Sequence, residues 1–113
     1  MITNLPVISL EALEKLNDRP ERTIQVPAWG ASVVIREPDT RTDVAIMRSC
    51  MVGEKENQAL DNEEFAVKQI IEGFVAPKLG PQHAEMIKGW GAATCEYLVS
   101  QIRNRKKNEP MAN

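Results

Sequence analysis

Apolar residues recur along this chain with two different periods. Thr23-Ile24-Gln25-Val26 alternates polar and apolar, whereas segments on either side of the Thr23–Arg36 stretch repeat every three or four residues. Alternation sends successive side chains to opposite faces of a strand; three-to-four spacing gathers them on one face of a helix. Ser9 to Leu16 shows the helical pattern, with Leu10, Leu13 and Leu16 on one face and Glu11, Glu14 and Lys15 outward. Ser9 suits the N-cap, because its hydroxyl accepts from an otherwise unpaired backbone N–H. A helix of about two turns does not hold alone in water, so those leucines are expected to dock on something. Thr23-Ile24-Gln25-Val26 and Ser32-Val33-Val34-Ile35-Arg36 read as two strands of a hairpin. Pro27 lacks a donor and suits a strand end, and Gly30 supplies the positive φ of a tight turn. An isolated hairpin is marginal in water. Helices must therefore cover one face, and Trp29 is expected to plug the hairpin onto one of them.

Glu37-Pro38-Asp39 breaks the pattern, and Thr40 to Asp43 fits the spacing of a capping box. The helix after it is predicted to reach about Val52, with a stripe of Val44, Met47 and Met51 widened by Ile46 and Cys50, and with Gly53 as its stop. Glu54 to Asn62 reads as a polar, mobile loop that could also prolong that helix. Asn62 is the expected cap of the next helix, whose apolar positions are Phe65, Ala66, Ile70, Phe74 and Val75, and which ends at Pro77. Gly73 lies inside that pattern and weakens it by ~1 kcal/mol relative to alanine. A long final helix is predicted from Pro81 or Gln82 to about Asn104, with Met86, Ile87, Trp90, Ala93, Thr94, Tyr97, Leu98 and Ile102 on a broad apolar face. Gly89 and Gly91 flank Trp90, where they either allow close helix approach, the more frequent role, or mark a bend. The pattern thus predicts an α+β fold: a mainly α-helical single domain over residues 1–113, with a small β-hairpin near the N-terminus and flexible ends at 1–5 and 105–113.

Composition narrows the function without naming it. The 113 residues make one domain, with room for a modest core but little for a deep cleft. A formal net charge of −2 leaves no electrostatic footprint for nucleic acid. There is no apolar run of the ~20 residues a membrane span requires, and the N-terminus does not read as a signal peptide, so a cytosolic protein is expected. Cys50 and Cys95 are far apart, outside any CxxC, and His83 is the single histidine. A four-ligand zinc site is not expected from that set, and both thiols read as buried or half-buried in a reducing cytosol. Glu63 and Glu64 lie at an exposed helix start, His83 reads as a surface histidine with no motif around it, and Gly89-Trp90-Gly91 lacks the strand that a phosphate loop follows. No catalysis, metal or cofactor is expected. What remains is apolar material suited to packing against other chains, including five methionines and two tryptophans. The candidate partner contacts are Trp29; Met86, Trp90 and Tyr97 on the last helix; and Glu54 and Glu56 in the polar loop. Any of these that the fold buries completely leaves the set.

Two blocks carry a resemblance. The first is Val26-Pro27-Ala28-Trp29-Gly30 followed by Val33, Arg36 and Glu37. The second is Val75-Ala76-Pro77-Lys78-Leu79 ahead of the final helix, with an acidic variable loop between the two. In order, spacing and chain length, from about Val26 to Arg103, the sequence resembles the tail assembly chaperones of long, non-contractile-tailed phages and prophages. The resemblance implies a mainly helical fold with a small β element, self-association and no catalysis. It also implies binding of the apolar tape-measure protein to keep it soluble, contact with the tail-tube protein, and absence from the mature virion. Family genes often make a longer product by frameshifting, and Lys106-Lys107-Asn108 could be encoded by a slippery AAA-AAA-AAC. The nucleotide sequence decides that hypothesis, which fails if no such heptamer is present. The alternative reading is a structural head–tail connector or minor tail protein. A small DNA-binding regulator or antitoxin is disfavoured by the acidic charge.

Overall fold

Along the chain the elements are α1 (Leu10–Glu14), β1 (Arg22–Val26), β2 (Ala31–Ile35), α2 (Thr40–Ser49), β3 (Met51–Val52), β4 (Ala59–Leu60), α3 (Asn62–Gly73), β5 (Phe74–Ala76), α4 (Ala84–Lys88) and α5 (Ala92–Ile102). The computed structural model describes residues 4–104. The expectations for residues 1–3, for the 105–113 tail and for the Lys106-Lys107-Asn108 codons lie outside the described residues.

The alternating segment forms the hairpin it predicts. Ile24 pairs with Val33 and Val26 with Ala31, and Ile24, Val26, Val33 and Ile35 all face the core. A 3-10 turn over Pro27–Trp29 ends on Gly30 at φ 62°, ψ 33°, a left-handed conformation that glycine adopts without steric cost. The hairpin gains a third, antiparallel strand that the pattern does not reveal. Phe74 leaves the helical register and pairs with Ile35, while Ala76 pairs with Val34. The order is β1-β2-β5, and β3 with β4 forms a separate two-stranded ribbon.

That ribbon corrects the prediction for 50–62. The helix stops at Ser49, and Met51-Val52 pairs with Leu60-Ala59 instead of prolonging it. Gly53 is the turn residue, at φ 98°; a Cβ there would lie 2.6 Å from the carbonyl oxygen of Asn57. Within α2 the buried residues are Ile46 and its cap Cys50, whereas Val44, Met47 and Met51 are exposed, so the inward stripe lies on the positions read as its edge.

Both caps fall one residue before the predicted ones. The Asp39 carboxylate accepts from the Thr42 N–H at 2.7 Å, and Asp61 accepts from the Glu64 N–H at 3.2 Å. Asp43, in the first turn behind that cap, turns inward. It accepts from Gln69 Nε2 at 2.7 Å and from the Arg103 guanidinium at 3.1 Å, tying α2 to α3 and to the end of α5.

The main core joins the sheet to α3, α4 and α5 through Ile35, Ile70, Phe74, Ile87, Leu98 and Ile102. A smaller cluster of Ile46, Cys50 and Phe65 lies under α2 and shares Val99 with it. The close approach expected at Gly89 and Gly91 is found at Gly73. A Cβ there would meet three Ile102 side-chain atoms at 2.5–2.7 Å, whereas at Gly89 and Gly91 it would meet nothing nearer than 3.4 Å.

Candidate functional site

The predicted final helix is two helices. The chain passes from a 3-10 turn at Pro81–His83 into α4, stops at Gly89, and restarts in α5 after Gly91. Gly89 and Gly91 thus mark a break. His83 is half-buried at the start of this stretch, its Nδ1 accepting from the Gly80 N–H at 2.9 Å, so it closes a turn rather than standing free on the surface. The break turns Trp90 toward the sheet. Its ring meets Trp29 edge-on at 4.7 Å and tilts against Phe74 at 6.4 Å, geometries that suit the quadrupoles of aromatic rings. Trp29 therefore does plug the hairpin onto the helical layer, while keeping 37% of its surface exposed.

Beside Trp90 lies an open trough of about 1110 Å³. Ala66 and Val67 of α3 form one wall, and Ala93, Cys95 and Val99 of α5 the other. Ala66, Ala92, Ala93 and Cys95 line it with short side chains. That volume exceeds the 300–1,000 Å³ usual for a small-molecule pocket, and an open apolar trough suits a polypeptide segment better.

The rim is charged. Lys88 lies 3.3 Å from Glu85 and 3.9 Å from Glu64, and its pKa is raised, chiefly by the Glu85 hydrogen bond. Arg103 pairs with Asp43 and stands 5.1 Å over the Phe65 ring. The Arg22 guanidinium donates to the Gln101 carbonyl, fastening α5 to the first strand, and the Tyr97 hydroxyl donates to the Gln25 carbonyl at 2.9 Å. Burial raises the pKa of the Cys95 thiol, which keeps it neutral rather than nucleophilic. Cys50 and Cys95 are free thiols. Among the described residues no group of three or more His, Cys, Asp or Glu could hold a metal. Nor is any helix there long and apolar enough to cross a membrane.

Of the candidate residues, Trp90 and Tyr97 line the trough, and Trp29 abuts it through the Trp90 ring. Met86 is 46% and Tyr97 38% exposed, and Trp90 is half-buried. Met86 is not among the lining residues. Glu54 and Glu56 are exposed in the β3–β4 turn and do not join the trough. None of the six is fully buried. Sequence reasoning missed Ala66, Cys95 and Val99; the run of small residues after Trp90 was the available signal.

Fold and trough together define a small α+β domain whose distinguishing feature is open apolar surface. No protein-family model matches the chain, and no curated protein matches it. Among solved structures, the bacteriophage HK97 tail assembly chaperone is similar, with a TM-score of 0.51 over 88% of this chain and 98% of that chain, at 17% identity. The chain has the fold of a phage tail assembly chaperone.

Proposed function

We propose that this chain is a tail assembly chaperone of phage or prophage origin, acting in the host cytoplasm and absent from the mature virion. The observation that carries the reading is the fold shared with the HK97 chaperone over nearly its whole length, in a molecule that leaves an apolar trough open. The partner is a tape-measure protein, whose long apolar helical stripes need cover before the tube encloses them. The trough receives one such stripe, with Trp90 and Tyr97 in contact and Trp29 behind them. Tail-tube protein is recruited as the second partner, and the chain self-associates. Work is done by contact, without catalysis, cofactor or nucleic acid.

Co-expression with a candidate tape-measure protein tests this. The soluble fraction of that protein rises if the reading holds; an unchanged fraction overturns it. Mass spectrometry of purified particles separates a chaperone, which is missing from them, from a head–tail connector, which is present.

A further inference from the structure

The residues ahead of β1 are the most apolar exposed stretch among the described residues. Leu5 is 87% exposed, Val7 98% and Leu10 71%, with Ile8, Leu13 and Leu16 about half exposed. The helix they flank is correctly capped, since Ser9 Oγ accepts from the Ala12 N–H at 3.1 Å, yet α1 buries no residue at all. A five-residue helix with its leucines in water is not a stable end state.

No residue of the arm joins either core cluster. The root of the arm is pinned where β2 leads into α2: the Arg19 guanidinium donates to the Glu37 carbonyl at 2.8 Å, and the Arg19 carbonyl accepts from Arg36 Nε at 2.7 Å. The Cα radius of gyration, 16.7 Å, exceeds the roughly 13 Å of a compact chain of this length. One molecule thus carries both an uncovered amphipathic arm and an uncovered apolar trough.

We propose that the trough of one copy receives the N-terminal arm, residues 5–16, of a second copy, and that the exchange is mutual. It deepens the self-association in the reading above and rests on that reading to that extent. Area favours it. Six aliphatic side chains at roughly 100 Å² each give on the order of 600 Å² per arm. The facing trough loses a similar area, and two exchanged arms reach or exceed the 1,200–2,000 Å² of a stable interface. Mutual exchange also closes on itself, leaving no arm uncovered. It shields the trough while no other chain is present, so an incoming partner helix displaces the arm.

The test is the mass of the full chain in solution, measured by light scattering, beside the double variant Leu10→Glu/Leu13→Glu. Neither position belongs to a core cluster, so the circular dichroism stays that of a folded chain while the mass halves to one chain. Ala93→Glu, on the trough side, has the same effect on mass. In a Cys95→Ala background, which removes the free thiol already lining the trough, mixing differently tagged Leu13→Cys and Ala93→Cys chains with a short bis-maleimide gives a cross-linked pair carrying both tags, absent when either new cysteine is missing. A monomeric full chain, a mass unchanged by the glutamate variants, or no cross-linked pair carrying both tags overturns the proposal. A monomer that still solubilises the tape measure would refute arm exchange and leave the chaperone reading standing.

Discussion

The body of this protein and its N-terminal arm use the same residue types to opposite ends. In the body, Ile35, Ile70, Leu98 and Ile102 lose all contact with water, and α3 packs so closely on α5 that Gly73 has no room for a methyl group. In the arm, Leu5 and Val7 ahead of α1 and Leu10 at its start stay in solvent, although the cap of that helix is correctly formed. Apolar periodicity in the sequence marks a face that will be covered. Only the fold shows whether the cover comes from within the chain.

Substitutions can break or sharpen this contrast. The largest effect belongs to Leu98→Ala, which empties a fully buried site and should cost ~2–5 kcal/mol by urea unfolding. Gly73→Ala should cost ~1–3 kcal/mol, because the fully buried, β-branched Ile102 cannot yield to a Cβ at 2.5 Å; this outweighs the ~1 kcal/mol that alanine would gain as a helix former. Asp43→Ala should cost ~1–3 kcal/mol by leaving the buried Gln69 amide without its acceptor. Gln69 Oε1 already lacks a partner in the structure. Leu10→Ala/Leu13→Ala in the arm should move stability by no more than ~0.5 kcal/mol while weakening self-association; a loss near that of Leu98→Ala would erase the contrast. The smallest effect is one of pH. The N–H of Thr42 holds the Asp39 carboxyl below its ordinary 3.8. The stability it adds is fully present above that value and fades as pH falls through the lower, folded-state value. Asp39→Asn keeps a capping side chain and should flatten that part of an acid-unfolding curve.

The hairpin was legible in the sequence because alternation and Gly30 agree on one conformation. So was α1, since Ser9 and three leucines at helical spacing define it, although nothing local shows that the leucines stay uncovered. The third strand was not legible. Phe74 and Val75 fit the helical period as well as a strand, and pairing with distant β2, fixed also by the Arg36 N–H donating to the Gly73 carbonyl at 2.8 Å, decides the matter. The β3–β4 ribbon is two residues a side, too short for a period to register. At the candidate site the large residues, Trp29, Trp90 and Tyr97, drew notice by size. The walls did not, because a trough is made by what Ala66 and Ala93 lack.

The central claim is that the trough between α3 and α5 holds an apolar helical segment of another protein. Adding a soluble tape-measure segment to the isotope-labelled full chain and following backbone amide shifts by NMR tests it most directly. The account predicts saturable shifts concentrated at Ala66, Trp90, Ala93, Tyr97 and Val99. Shifts confined to the β3–β4 turn, or none at saturating concentration, would contradict it.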